Sequence, residues 1–289
     1  MTDDQTNDRK PRRISVVLST YNAPAWLEKS LWGYAMQTYH DFELIIADDG
    51  SRSETRDMIE RIREQTQMLI RHVWHLDDGF RKCTILNEAI RAAKGDYLVF
   101  SDGDCIPRPD FLAQHHAAAC PGRFLSGGYY KLPMSVSEAI SVDDIRSGRA
   151  FSVSFLRSSG LPFSPRWLRL NARGIWADFL NRVTTTKPTW NGNNASGWTT
   201  DIVAAGGFDE RMRYGGEDRE LGERLENAGI RGKHVRYQTV CLHLDHARGY
   251  VNDADLRRNR EIRDETQRTG RTRTEHGLQV SAERSQKVA

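Results

Sequence analysis

The chain has 289 residues, 38% hydrophobic and 28% charged, with a formal net charge of +3 at neutral pH. This is a globular balance, enough for one large domain or two packed lobes, and so small a net charge gives no footing for a nucleic-acid partner. Cys83, Cys105, Cys120 and Cys241 show no CxxC spacing, which argues against a disulfide framework or zinc ribbon and fits a reducing cytosol.

Met1 to Arg13 is a polar tail without a signal-peptide pattern, and no apolar run reaches the roughly 18 residues needed to span a bilayer. The expected location is the cytoplasm, with peripheral contact at the inner face of the membrane as a further option. Ile14 to Leu18 predicts a buried strand. Pro24 opens a helix that carries Leu27, Leu31 and Tyr34 on one face. Phe42 to Ala47 predicts a second strand, ending in Asp48-Asp49-Gly50-Ser51. Ser53 is placed to cap the next helix, with Met58, Ile59 and Ile62 inward. Ile70 to Trp74 is a third strand, Cys83 to Ala93 a helix stopped by Gly95, and Tyr97 to Phe100 a fourth strand.

This alternation predicts an α/β fold: a doubly wound, mostly parallel central sheet flanked by helices. Ligands bind beyond the carboxyl ends of such strands. Three polar clusters fall there: Ser19-Thr20-Tyr21-Asn22, Asp48-Asp49-Gly50-Ser51 and Asp102-Gly103-Asp104. No GxGxxG follows the first strand and no GxxxxGK[ST] occurs, which argues against dinucleotide and P-loop sites.

In the second half, Ser126 to Tyr130 reads as strand and turn, and Asn191 to Gly197 as a flexible polar loop. Thr199 to Ala205 is a short helix stopped by Gly206-Gly207. Tyr214-Gly215-Gly216-Glu217-Asp218 leads into a helix with Leu221 and Leu225 inward. His234 to Leu244 reads as one strand, and the polar stretch after Asn252 as a frayed helix and disordered tail. His72, His75, His115 and His116 lack ligand spacing and are expected on the surface or in packing.

The acidic run Asp102-Gly103-Asp104 closes the fourth strand. Two carboxylates so close call for a positive partner, and hard carboxylate oxygens suit Mg²⁺ or Mn²⁺ with positions left open for a diphosphate. Gly103 would let a phosphate or sugar approach the backbone. A polar turn accounts for the same residues.

Taken in order, Ser15 to Asn22, Gln37-Thr38-Tyr39, Phe42 to Ser51, Leu86 to Ile90, Gly95-Asp96-Tyr97 and the acidic run resemble the family 2 glycosyltransferases of the GT-A fold. Gly206 to Glu210 and Gly215-Gly216-Glu217-Asp218 are similar to the galactosyltransferase-type half of β-1,4-galactosyltransferases and bacterial chondroitin polymerases. The resemblance spans about residues 14 to 246 and implies a metal-dependent inverting enzyme. It would move a sugar from a UDP-sugar to a glycan or lipid-linked glycan, in surface polysaccharide or lipopolysaccharide synthesis.

By that resemblance, Ser19, Tyr21, Asp49, Arg81 and Asp102 face the nucleotide, with Asp49 accepting the uracil N3–H. Asp104 is the more direct metal ligand, with Asp102 beside it. His243 completes the site, His246 standing as its alternative, and a histidine ligand favours Mn²⁺ over Mg²⁺. Asp218 is the base, while Glu217, Tyr214 and Gly216 bind acceptor. Acidic residues at a helix N-terminus are also favoured by its dipole alone, Tyr214 could simply be half-buried, and His243 could be an inert core histidine.

The implied organisation is a polar tail at 1–13, a nucleotide-sugar-binding half at 14–125, an acceptor-binding and catalytic half at 126–250, and a partly disordered polar extension at 251–289. Between Phe155 and Arg182, five arginines alternate with apolar residues and Asp178 is the sole acid. This fits either a segment drawn to anionic lipid or a helix packed on the sheet with solvated arginines. A nucleotide-sugar-binding or lipid-binding regulatory module without turnover is the competing function. The intact acidic motifs argue against it.

Overall fold

The computed structural model describes residues 9–246 and 252–279. The expectations for residues 1–8, 247–251 and 280–289 lie outside the described residues. In chain order the strands are β1 (Ile14–Thr20), β2 (Phe42–Asp48), β3 (Ile70–Trp74), β4 (Tyr97–Asp102), β5 (Cys105–Pro107), β6 (Arg123–Ser126), β7 (Gly128–Lys131), β8 (Ala195–Trp198), β9 (Arg231–His234) and β10 (Val240–His243). The helices of the first half are α1 (Pro24–Ala35), α2 (Ser53–Thr66), α3 (Lys82–Ala92) and α4 (Phe111–Ala118). They are followed by α5 (Met134–Ala139), α6 (Val142–Arg146), α7 (Val153–Ser158), α8 (Leu168–Asn171), α9 (Gly174–Arg182), α10 (Thr199–Ala204), α11 (Glu217–Asn227) and α12 (Asp253–Thr269).

A seven-stranded sheet runs in the order β3-β2-β1-β4-β8-β6-β9. The first four strands are parallel, and β8 alone runs against both its neighbours, β4 and β6. The expected α/β fold with a mostly parallel sheet flanked by helices is therefore present. β1 is an almost continuous apolar run because both its faces are covered. Val17, with Ile45 and Leu98, packs on the α3 side, while Val16 and Leu18, with Leu44 and Ile46, pack on the α1–α2 side. This is the two-residue alternation of a strand.

A smaller sheet, β5-β10-β7, is joined to the large one where β5 follows the carboxyl end of β4 in the chain. Its register pairs His243 with Cys105, which sets His243 beside the acidic run. Both sheets draw strands from both halves of the chain, so 14–125 and 126–250 share their sheets rather than forming separate lobes.

Several expectations change in the fold. Ser53 does not cap α2: it is the first helical residue, and Arg52 precedes it without a side-chain cap. Gly95 is needed for contact with β1, since a Cβ there would lie 2.6 Å from Ser15 N. The polar stretch Asn191 to Gly197 is not all loop: Ala195–Trp198 is β8, fully buried between β4 and β6. Too short and too rich in small residues to show alternation, it is held by side-chain bonds. His115 Nδ1 lies 2.8 Å from Ser196 Oγ and its Nε2 lies 3.1 Å from Asn194 Oδ1. Asn194 Nδ2 in turn donates to Gly128 O and Thr239 O. The single strand expected over His234 to Leu244 is divided into β9 and β10 by a turn in which Thr239 N donates to Val235 O.

The C-terminal stretch departs most from expectation over its described part. Residues 253–269 form a regular helix, α12, whose N-cap Asn252 accepts from Ala254 N. The helix docks on α11 through Asn259, Ile262 and Thr266, all buried. Thr266 Oγ1 donates to Glu220 Oε1 (2.8 Å), a carboxylate paired with the fully buried Arg224. The chain then continues along α10, with Leu278 buried and its N–H donating to Gly206 O. Composition hides this docking because much of it is made through buried hydrogen bonds rather than a broad apolar stripe.

Burial drives the His115 imidazole down to about 3, far below the roughly 6.5 of an exposed histidine. The unfolded chain therefore binds the extra proton between those values, and stability should be lost as pH falls below that of free histidine, by up to about 1.4 kcal/mol per pH unit. Urea midpoints of the wild type and His115→Gln at neutral pH and at pH about 5 should show a steeper acid loss in the wild type.

Candidate active site

The carboxyl ends of β1 and β4, the start of α3, the small sheet and the start of α11 enclose a cleft of about 1090 Å³. Of the residues singled out in the sequence, Ser19, Tyr21, Asp49, Asp102, Asp104, Tyr214, Gly216, Glu217, Asp218, His243 and His246 all line it. Arg81 does not. Its backbone N–H donates to Asp49 Oδ2 (3.0 Å), and its guanidinium lies toward Asp78. The neighbouring Lys82 and Phe80 enter the cleft instead. Chain position at the opening of α3 offered a signal for Lys82: it is the first helical residue after the loop that crosses the sheet rim.

The two aspartates of the first rim motif have separate tasks. Asp48 is wholly buried, accepting from Ser51 N and lying 2.8 Å from His72 Nε2. Asp49 faces the cleft with His75 Nε2 2.7 Å from Oδ1 and the Arg81 N–H on Oδ2. Burial pushes the Asp49 carboxyl up, against the pull of these two partners. Each oxygen keeps acceptor capacity for an incoming N–H. Tyr21 is half-exposed and its hydroxyl donates to Asp77 Oδ2 (2.9 Å).

Asp102 and Asp104 diverge. Asp102 Oδ1 accepts from Ser19 Oγ (2.7 Å) and from Lys82 Nζ (2.8 Å). Burial works against the Asp102 charge, but Lys82 and then Ser19 more than offset it and hold the carboxyl below its usual range. Lys82 is itself disfavoured by burial, yet Asp102, Glu217 and Asp218 hold its ammonium well above the ordinary value. Between the aspartates, Gly103 packs closely: a Cβ would crowd Ser19 O at 3.0 Å and Leu27 Cδ1 at 3.2 Å.

Asp104 turns to the histidines. Its Oδ2 lies 3.1 Å from His246 Nε2 and 3.9 Å from His243 Nε2, and one donor atom from each of the three residues falls within 4.8 Å of the others. His243 Nδ1 is 2.9 Å from Leu244 O. A carbonyl only accepts, so Nδ1 carries a proton, and Nε2 is the nitrogen that faces Asp104 and is placed to ligate a cation. One carboxylate and two imidazoles fit a transition-metal dication such as Mn²⁺ better than Mg²⁺. Both histidines are thus brought together, where the sequence left one as the alternative of the other. Asp102 is engaged by Ser19 and Lys82 rather than joining the three.

Across the cleft, Gly215 and Gly216 both have positive φ, and Glu217 opens α11. Burial, then the charge of Asp218, pushes the Glu217 carboxyl up, while its Oε2 accepts from Gly215 N (2.9 Å). Asp218 accepts from Gly192 N on Oδ2 (2.9 Å) and from Arg219 N on Oδ1 (2.7 Å). Tyr214 packs edge-on against Phe80, ring centres 6.2 Å apart. The loop is clamped from behind, since Asn259 Nδ2 on α12 donates to the carbonyls of Arg213, Tyr214 and Gly215 at 2.9 to 3.1 Å. Thr20 Oγ1 and Asn193 Oδ1 are buried here without a hydrogen-bond partner among the described residues. Polar atoms left so are ones a ligand can satisfy.

Residues 15–144 match the description Glycosyl transferase family 2. The validoxylamine A glucosyltransferase of Streptomyces hygroscopicus subsp. jinggangensis is 28% identical over 236 residues, which cover 75% of this chain and 52% of that protein. The chain thus spans about half the length of this relative. Among solved structures, the mannosyltransferase PcManGT of Pyrobaculum calidifontis, in complex with GDP-Man and Mn²⁺, superposes with a TM-score of 0.57 at 20% identity, over 84% of this chain and 59% of that one. S. aureus TarS residues 1–349, in complex with UDP-GlcNAc, superposes with a TM-score of 0.56 at 16% identity, over 86% of this chain and 65% of that one.

Lys82 balances the carboxylates on both sides of the cleft, so its removal should be felt as charge repulsion. Lys82→Met is expected to cost about 1–3 kcal/mol at neutral pH, discounted from a fully buried pair because the ammonium is partly exposed. The loss should shrink toward pH about 5, where the uncompensated carboxylates take up protons. Denaturant melts of the two proteins across that range check the sign.

Proposed function

We propose that this chain, whose residues 15–144 match glycosyl transferase family 2, is a metal-dependent, inverting glycosyltransferase of that family. It moves a sugar from a UDP-sugar to a hydroxyl of a glycan acceptor, in the synthesis of a surface polysaccharide or lipopolysaccharide. The observation that carries this reading is the pairing, within one cleft, of the Asp104–His243–His246 group with the Glu217–Asp218 pair. The first suits the diphosphate end of a nucleotide sugar and the second an acceptor hydroxyl.

A cation held by Asp104, His243 and His246 would supply Lewis-acid neutralisation of the leaving diphosphate. The protein's own groups do the rest. Asp49 accepts the N3–H of the base, and Lys82 adds positive charge beside Asp102 where negative charge accumulates. Asp218 takes the acceptor proton as its oxygen attacks the anomeric carbon. The Gly192 and Arg219 N–H groups hold that carboxylate in place, an orientation that general-base catalysis requires. Attack from the face opposite the diphosphate inverts the anomeric centre. Glu217 meets acceptor hydroxyls, with Tyr214 and Gly216 beside it. Phe80 and Tyr214 supply ring faces and help keep water from the donor. Asp49 as an N–H acceptor favours uracil over cytosine, and among proteins of this fold one is complexed with UDP-GlcNAc and another with GDP-Man.

Screening UDP-sugars with Mn²⁺ should reveal donor hydrolysis or transfer that a chelator abolishes. Asp218→Asn should lower turnover by about 10²–10⁴ while UDP binding persists, the range for losing a positioned base. Asp104→Ala should weaken both Mn²⁺ binding and turnover. Absence of turnover with every UDP-sugar and every divalent metal would sink the enzyme reading. Retention of configuration, followed by NMR of the product anomer, would sink the single-base mechanism.

A further inference from the structure

Among the described residues, twelve large apolar side chains are exposed, and six of them fall between 163 and 183: Phe163, Leu168, Ile175, Trp176, Phe179 and Val183. Helix α9 concentrates them in an unusual way. A helix on a globular surface normally turns its apolar stripe inward. In α9 the buried positions are Ala177 and Asn181, small and polar, while Ile175 is 81% exposed, Trp176 67% and Phe179 53%.

The inner face is fastened by hydrogen bonds: Asn181 Oδ1 accepts from Tyr237 N, and its Nδ2 donates to Gln238 Oε1. The outer apolar ridge, Ile175–Phe179–Val183 with Trp176 alongside, therefore does not serve the core. Its rings already pack together, with Trp176 against Phe179 and Phe163 against Trp167.

The charge around this ridge is one-sided. From Phe155 to Arg182 there are five arginines and a single acid, Asp178. That acid accepts a hydrogen bond from Gln238 Nε2 on the protein side. Arg157, Arg166, Arg173 and Arg182 are exposed, and none of the four has an acidic salt-bridge partner among the described residues. Exposed rings and aliphatic side chains flanked by uncompensated guanidinium groups match a surface that offers hydrocarbon under a layer of negative charge. Such a surface is an anionic lipid bilayer. A protein partner would have to supply both an apolar groove and a surrounding acidic ring.

We propose that the α8–α9 face docks the protein peripherally on an anionic membrane, with Trp176 and Phe179 entering the interface and the arginines meeting lipid phosphates. The docking face is tied to the cleft. Arg169 on α8 donates to Tyr129 O on β7 (3.1 Å), and the Tyr129 side chain lines the cleft beside His243. Among the described residues no helix is long and apolar enough to cross a membrane, so contact through this part of the chain would be interfacial.

Flotation of the intact protein with phosphatidylcholine vesicles and with phosphatidylglycerol-rich vesicles tests the proposal. The protein should float with the anionic vesicles at low salt and less so at high salt. The double variant Trp176→Ser, Phe179→Ser should lower the bound fraction about tenfold, with unchanged circular dichroism and thermal midpoint. Arg166→Gln with Arg182→Gln should remove the preference for anionic lipid. Failure to float at low salt, or flotation unaffected by the Trp176/Phe179 pair, overturns the proposal. So does sedimentation showing that the wild type self-associates, the double variant is monomeric and neither floats: the face would then be an interface between two copies of the chain.

Discussion

The active cleft depends on the placement of one ammonium group among carboxylates. Asp102, Glu217 and Asp218 come from the two halves of the chain, and bringing them into one partly dehydrated space is unfavourable without a cation. Lys82 supplies it from the first turn of α3, 2.8 Å from Asp102. With Lys82 in place Asp102 stays ionised, while Glu217 is displaced upward by burial and by Asp218. One helix start thereby places its cation among carboxylates from both sides of the cleft.

The remaining architecture holds those groups at their distances. In the small sheet, β10 pairs with β5 so that His243 falls next to Asp104, and Leu244 N donates to Asp104 O to keep the two segments together. Glu217 and Asp218 depend on α12, a helix whose value is not evident from its hydropathy. Its Asn259 gathers three successive carbonyls of the glycine loop, and Glu220 on the same α11 helix is locked by Arg224 and Thr266. Gly215 has a positive φ, and a Cβ there would press on the tip of the Leu256 side chain at 2.4 Å. The glycines of the loop are thus explained by a positive φ and by the helix behind them, before any sugar is considered.

The face formed by α8 and α9 gives the region after β7 a second physical character. Glycan assembly at a membrane requires a soluble catalytic surface to meet an acceptor confined to two dimensions. With the proposed docking, α8, whose Arg169 donates to β7 beside the cleft, would be a short route between the two. This relation joins two separate readings, one built on the chemistry of the cleft and one on an inverted helix.

Much of the first half was legible in the sequence because its signals are local. The apolar runs of β1, β2 and β4 and the helical spacing of α1 to α3 follow from covering both faces of a parallel sheet, and rim residues then follow from chain direction alone. The acidic motifs were recognisable by type and order. What the sequence could not determine was set by contacts between segments far apart in the chain. β8 is a strand because His115, Asn194 and the edges of β4 and β6 leave it no other way to satisfy its backbone, although Ala-Ser-Gly-Trp carries no strand pattern. Lys82, not Arg81, enters the cleft because the helix start turns one side chain inward and the other toward Asp78. His243 and His246 converge on Asp104 through the register of β10 on β5. Sequence by itself determined which elements form and which residue types could act. Tertiary structure decided which of them meet, because hydrogen-bond register and charge pairing exist only once distant segments are packed together.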